Sequence, residues 1–555
     1  MSAAEKPVRE DLVAVGAAYR EKLESLETWS GYPVKAFYTP DDLQGSSYAQ
    51  QLADPGQYPY TRGIYPNMYR GRLWSRRHLC GFGSPSATNE RIRYLVEGGD
   101  NAINIAFDIP TNSGVDSDHP LASGDIGLQG TPIASIEDME RVLEGIPLDH
   151  VSVNLSTIGV TMLMPFYLVA ARRKGFDLRE LRGTILNDTL GDTFCGYKRS
   201  FVPPNLALKL ALDCVEYCIE HVPKWNPLSV DGYNIRENGV TAPQEIAFTF
   251  GLAKEYLDEG IRRGISIESL APRITFTASA EIDFFEEIAK LRAARRLWAR
   301  IIHEEYGGTS PKALMYKFHV HTAGSSLTRQ QPLNNLVRVT VEAMAGIMAG
   351  TQSLHTCSYD ENIGLPTEES VQIAMATQQI LAYESRIANV ADPLAGSYYV
   401  EALTDKMESE IKRILAEISE LGGMAEAQRT GWAEEVINRE ALKIQKQVES
   451  GERVLVGVNR YMAAGGGAES VHEVSSNMVR AQIDQLVQFK KSRDANRVGP
   501  ALRSLREVAS RKNVNLFPAA IDAIELGATL GELNGYIRMG FGYPYDDFGA
   551  AQPPF

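Results

Sequence analysis

Between Leu73 and Cys357 the chain repeats one rhythm eight times: a short β-prone run, a polar or glycine-containing turn, then a helical stretch. The runs are LWSRRHLCG, AINIAFD, VSVNLS, GTILND, LSVDGYN, RITFTAS, ALMYKFHVHT and TQSLHTCS. Strands that alternate with helices pair in parallel through crossovers, and eight such units are the number that closes a barrel. The pattern therefore predicts an α/β fold built on a (β/α)8 TIM barrel over residues 58–360. An N-terminal arm for partner contact (1–57) precedes it and a C-terminal helical region (361–555) follows. In that last region KMESEIKRILAEISELGG has the apolar spacing of an amphipathic helix, expected in a docking and dimer region.

Side chains alternate across a strand, so each run divides into two faces. Ile103, Ile105 and Phe107 oppose Asn104, Ala106 and Asp108, and Val151, Val153 and Leu155 oppose Ser152, Asn154 and Ser156. Ile274 and Phe276 oppose Arg273, Thr275 and Thr277; Leu314, Tyr316, Phe318 and Val320 oppose Met315, Lys317, His319 and His321. The outer face of a barrel lies under helices and must be apolar, which sends the polar set inward. An ordinary barrel of this kind fills its interior with Val, Ile and Leu. Unpaired polar groups in a dry core cost about 1–3 kcal/mol each, so a Ser, Asn, Thr, His and Lys lining implies water or a polar ligand along the axis.

The 555 residues carry a formal charge of −14, which argues against nucleic acid or an anionic membrane as partner. Any anion must then meet a local basic cluster, and Tyr60 to Gly83 supplies one, with five arginines and no acid. The first residues show no apolar core before a cleavage site and no run approaches the length of a membrane span, so a cytoplasmic protein is expected. The five cysteines form no C-x-x-C pair, and Cys214 and Cys218 fall on one face of a helical run. His319 and His355 lie on predicted strands with no acid or cysteine at metal-ligand spacing, so no metal site is expected. Asp118 and Pro120 in SDHP read as turn formers.

Long strings carry a resemblance: YPYTRG, FDIPTNSGVDSDHP, APR, KLRAARRLWA, TQSLHTCSYDE, DPLAGSYYVE and GVNRY. With them the sequence resembles the large, substrate-binding subunit of the coenzyme B12-dependent acyl-CoA mutases, the methylmalonyl-CoA mutase family. In layout it is nearest the split members of that family. The resemblance implies a polar-lined barrel with the pantetheine arm of coenzyme A down its axis. It assigns coenzyme A to Tyr65, Asn67, Met68, Arg72, Ser75, Arg77, Arg273, Thr275, Lys312, Lys317 and His321. Arginine forks suit the phosphates of such a ligand. Around the cofactor it places Phe107, Glu237, Gly324, Gln352 and Glu361, and near the acyl group Tyr233. The implied cofactor is adenosylcobalamin, and the implied chemistry is homolysis of its Co–C bond, hydrogen abstraction and a radical 1,2-shift of the thioester group. No D-x-H-x-x-G motif is found, so a separate small cobalamin-binding subunit, in an α2β2 heterotetramer, is expected to ligate cobalt.

Five pocket positions depart from the methylmalonyl enzyme or its relatives. Leu79 stands where the methylmalonyl enzyme has a tyrosine wedge, and Tyr197 where it has the arginine that pairs with a substrate carboxylate. Ala106 replaces the aspartate that marks the 2-hydroxyisobutyryl enzyme; Leu186 replaces a glutamine, and Asn234 the histidine of Gly-Tyr-His. Burying a carboxylate without a cation is costly, so a neutral acyl-CoA is the expected substrate. Two alternatives stay open: a non-catalytic paralogue that binds acyl-CoA, and a methylmalonyl-CoA mutase with an atypical pocket.

Overall fold

The structure, a computed structural model, describes residues 26–157, 162–194, 204–364, 366–462 and 474–555. Each predicted β-prone run holds strand. The first gives β1 (Ser75–Arg76) and β2 (Leu79–Cys80); β3 (Ala102–Ala106), β4 (Ser152–Ser156) and β5 (Gly183–Ile185) follow. Then come β6 (Trp225–Asn226), β7 (Leu228–Asp231), β8 (Ile274–Ala280), β9 (Phe318–Thr322) and β10 (Ser353–His355). These strands pair in parallel as two five-stranded sheets, in the orders β1-β10-β9-β8-β7 and β2-β3-β4-β5-β6. Two chain segments serve both sheets, because only Arg77 and His78 separate β1 from β2 and only Pro227 separates β6 from β7.

The alternation is realised in the packing. Ile103, Ile105, Val153, Leu155, Phe276, Phe318 and Val320 are buried in the main core. The polar face pairs across strands: Asn104, Asn154 and Thr184 are in register, Asn154 Nδ2 donates to Asn104 Oδ1 at 2.6 Å, and Thr184 Oγ1 donates to Asn154 Oδ1. Arg77 extends this ladder, with Nη1 3.0 Å from Thr184 Oγ1 and Nη2 3.3 Å from Ser152 Oγ.

Two runs differ from expectation. ALMY is not strand: Pro311–Leu314 forms a helical turn, started by Pro311 and capped where Ser310 Oγ accepts from Ala313 N at 3.3 Å. The alternation that assigned Leu314 and Tyr316 to a strand face therefore fails before Phe318, although both are buried; Tyr316 stacks on Phe276 at 4.5 Å. The fifth run starts earlier than expected, at Trp225, because Pro227 interrupts the strand rather than preceding it.

Helices flank the strands. In Pro204–His221 Cys214 and Cys218 are both buried. The predicted amphipathic helix spans Tyr398–Glu420 and buries Val400, Leu403, Met407, Ile411, Ile414 and Ile418, at spacings of three and four. Buried Arg292 and Arg296 of helix Phe284–Arg300 fasten it, through Glu401 and Asp405 at 2.6 Å each. Between them Arg295 donates to the carbonyls of Tyr60 (2.8 Å) and Thr61 (2.6 Å), anchoring the segment that leads into the arginine-rich stretch. At the other end, Lys490 reaches Asp116 (2.9 Å) and Asp118 (2.8 Å), tying helix Ser476–Ser492 to the turn after β3. Among the described residues no helix is long and apolar enough to cross a membrane.

Candidate functional site

A cavity of about 620 Å³ opens at the N-terminal ends of the strands. It gathers Tyr65, Asn67, Met68, Arg72, Ser75, Arg77, Thr275 and Lys317 from residues 65–77, β8 and the approach to β9, with Leu186 and Gln352 in the same wall. Gln352, which the resemblance puts near the cofactor, stands in this wall with its Oε1 accepting from Phe318 N at 2.9 Å. Burial lowers Lys317 to about 8, with Arg273 and Lys312 adding like charge, while its Nζ donates to Asn226 Oδ1 at 3.1 Å. Burial also lowers Arg77, to about 10.

The arginine-rich stretch does not act as one patch. Arg62 bonds Tyr48 Oη at 2.9 Å and faces Asp392 at 3.6 Å, and Arg76 Nε donates to Gly99 O at 3.1 Å. Only Arg72 and Arg77 of the five line the cavity. Arg273 lies outside the lining, its Nη1 3.1 Å from Trp225 O, and Lys312 is exposed on the turn before β9. His321 sits at the far end of β9 from Lys317.

At the C-terminal ends of the strands a second group converges. Leu79, 39% exposed, is in register with Asn104, and Gly81 brings the chain so close that a Cβ there would stand 2.2 Å from Ala106 O. Phe107 is buried beyond Ala106 and bridges to Thr131. The Tyr233 ring lies 4.0 Å from that of His321, which lies 4.1 Å from that of His355. Glu237 accepts from Ser325 N (2.8 Å) and Ser325 Oγ (3.1 Å). Burial, with Glu281 adding, pushes Glu237 up to about 7. Gly324 leaves open space where a Cβ would meet Glu237 Oε2 at 3.1 Å and the Tyr233 hydroxyl at 3.2 Å. Burial raises Glu361 as well. Asn234 donates through its amide to Asp231, which burial raises to about 6. Tyr197 and its neighbours Lys198 and Arg199 lie outside the described residues.

Sequence spacing offers no acid or cysteine to partner the strand histidines, and the fold corrects this. One donor atom from each of His321, His355, Cys357 and Glu361 lies within 4.8 Å of the others. Register places His321 opposite His355, and the chain after β10 turns back to deliver Cys357 and Glu361. The signal in the sequence is the H-x-C-x-x-x-E spacing within one run, His355 to Glu361, and only His321 needs the register of a second strand to join it.

The methylmalonyl-CoA mutase family model matches residues 27–543. The chain is 38% identical to methylmalonyl-CoA mutase of Rhizobium meliloti over 517 residues, 93% of this chain and 72% of that protein. It is 36% identical to the 2-hydroxyisobutanoyl-CoA mutase large subunit of Aquincola tertiaricarbonis, over 92% of this chain and 91% of that one. With the mitochondrial methylmalonyl-CoA mutase of Homo sapiens it shares 37% identity over 93% of its own length and 68% of the human chain. A match of this extent means that the chain belongs to the methylmalonyl-CoA mutase family, acyl-CoA mutases that are isomerases of the intramolecular-transferase class.

Proposed function

We propose that this chain is the substrate-binding large subunit of a cytoplasmic, adenosylcobalamin-dependent mutase that shifts the coenzyme A thioester group within a neutral acyl-CoA. The observation that carries the reading is the polar face along β9, from Lys317 and His319 in the cavity wall to His321, which groups with Glu361 at the other end. Two sheets that share both boundary segments are read as one closed barrel, β1–β2 and β6–β7 each being a single broken strand. Arg72, Arg77 and Lys317 would hold the phosphates and pantetheine at the N-terminal mouth, and the acyl group would reach Leu79, Ala106, Tyr233 and Asn234. Leu186 gives part of the wall between an apolar character.

The upper end fits the cofactor's adenosyl group by its donor set: the Glu237 and Glu361 carboxylates suit sugar hydroxyls, and the absent Cβ of Gly324 leaves that of Glu237 accessible. Adenosylcobalamin, when bound, supplies the carbon radical that starts the rearrangement. The chain's own part is to orient the acyl-CoA, to accept hydrogen bonds from the sugar, and to keep water away from the reacting carbon. A separate small subunit would ligate cobalt, in an α2β2 assembly; the name of the Aquincola large subunit supports that division.

The test mixes the purified chain with its genomically neighbouring small subunit, adenosylcobalamin and a panel of acyl-CoAs, reading product and the paramagnetic cobalt(II) signal. Product from a neutral ester is expected. Coenzyme A binding with neither product nor signal for any ester would leave a non-catalytic paralogue. Methylmalonyl-CoA turned over as fast as the best neutral ester would overturn the neutral-substrate reading.

A further inference from the structure

The two imidazoles at the upper end have their tautomers set by the backbone. Leu79 N–H donates to His355 Nδ1 at 3.0 Å, so that nitrogen is an acceptor and the proton of the neutral ring is on Nε2. His321 Nδ1 lies 2.8 Å from the Thr322 carbonyl, which can only accept, so its proton is on Nδ1 and its lone pair on Nε2. Both rings are neutral: burial lowers His321 to about 4 and His355 well below its ordinary value, with His321, His78 and His319 adding.

The result is a fixed donor beside a fixed acceptor. His355 Nε2 is buried with no hydrogen-bond partner among the described residues, a costly state for a donor. The His321 ring is 4.1 Å away and is backed on its other flank by Tyr233. A metal is the wrong occupant for this arrangement, because His355 cannot offer a lone pair at Nε2 while Leu79 N–H holds Nδ1. The Cys357 thiol, for its part, is used as a donor to Thr322 O at 3.2 Å. A carboxylate is wrong too, since it would face the lone pair of His321. A hydroxyl matches both, accepting from one ring and donating to the other.

We infer that the acyl group taken by this chain carries a hydroxyl, which accepts from His355 Nε2–H and donates to His321 Nε2. The inference rests on the proposed placement of the acyl group at the C-terminal ends of the strands, beyond the cavity, and it assigns the hydroxyl to a histidine pair even though position 106 is Ala106. A site built to bond a hydroxyl discriminates strongly against the analogue that lacks it.

The test measures binding to the full chain by calorimetry, for coenzyme A and two matched ester pairs: isobutyryl-CoA with 2-hydroxyisobutyryl-CoA, and butyryl-CoA with 3-hydroxybutyryl-CoA. At least one hydroxylated ester is expected to bind about tenfold tighter than its partner. His355→Phe and His321→Phe should each abolish that preference, reducing the hydroxylated ester to the affinity of its hydroxyl-free partner. In ¹⁵N-histidine spectra the His321 Nε2 signal should move with the hydroxylated ester only. Equal affinities within each pair, the opposite tautomers, or one equivalent of tightly bound zinc would overturn the inference and leave the acyl-CoA site standing. Failure of coenzyme A and every ester to bind would overturn both.

Discussion

The side-chain amide of Asn234 is committed to the carboxylate of Asp231, three residues earlier at the end of β7. Asp231 is raised to about 6 by burial, opposed chiefly by its hydrogen bonds from Asn234, and its own N–H is held by Asp188 Oδ2 at 3.0 Å. Asn234 therefore first steadies a buried carboxylate, and only a second amide proton is left for a thioester carbonyl. A carboxyl whose folded value is raised loses folding stability as pH rises from its ordinary value through about 6. Asn234→Ala removes an opposing bond and raises Asp231 further, so its cost grows with pH. We expect about 1 kcal/mol lost at pH 5, where Asp231 is protonated in both proteins, and about 2–3 kcal/mol at pH 8. Urea unfolding at the two pH values checks this; equal losses would refute it.

Glu237 gives a sharper pH signature. Its carboxyl is raised from 4.5 to about 7, so the wild-type chain loses stability as pH climbs through that interval. The full shift corresponds to about 3 kcal/mol. Glu237→Gln keeps the acceptor oxygen for Ser325 and removes the charge. The variant should unfold at nearly the wild-type temperature at pH 5 and above it at pH 8, and a scanning calorimeter reads the difference directly.

Much of this site is legible in the amino-acid sequence, and the reason is local. Asn104 and Asn154 can be assigned to the polar face because period-two alternation needs only neighbours in the chain. Helix Tyr398–Glu420 is equally plain from its spacing. Pro311 and Pro227 mislead for opposite reasons: one starts a helical turn that extends into a β-like run, and the other is crossed by a strand that resumes on the next sheet. The arginine-rich stretch reads as a single patch because charge is visible in sequence and direction is not; Arg62 and Arg76 turn away to Tyr48 and Gly99. His355, Cys357 and Glu361 share one run and are legible as a spacing, but their grouping with His321 needs the register of β9 on β10.

Lys317 links burial to ligand affinity. Its ammonium, lowered to about 8 by burial and by Arg273 and Lys312, begins to lose its charge within the working pH range. Coenzyme A should therefore bind most tightly near pH 7 and weaken by about tenfold by pH 9 as the free site deprotonates. Lys317→Arg keeps the charge throughout and should flatten the profile, even if its fork fits less well than the lysine beside Asn226. A profile that stays flat in the wild type would place the phosphates elsewhere.

Gly81 sets the distance between β2 and β3 at Leu79 and Ala106, the proposed frame of the acyl pocket. Its φ of +137° excludes most side chains, and a Cβ would stand 2.2 Å from Ala106 O, with no flexible atom able to yield. Gly81→Ala must push β2 and β3 apart at their C-terminal ends, where Leu79 and Ala106 sit. Gly175 separates the two effects: its φ of +85° is also unfavourable for alanine, but nothing lies within 4 Å of the new Cβ. Gly175→Ala should cost about 1 kcal/mol, from backbone strain alone. Gly81→Ala should cost more than about 3 kcal/mol, because backbone has to move as well. The displaced strand ends should also weaken acyl-CoA esters more than coenzyme A, since the proposed phosphate site lies at the opposite end of the strands. Unfolding curves for the two variants, with ester and coenzyme A titrations of whichever folds, decide the point. Equal stability losses would mean that strain rather than close approach accounts for this glycine.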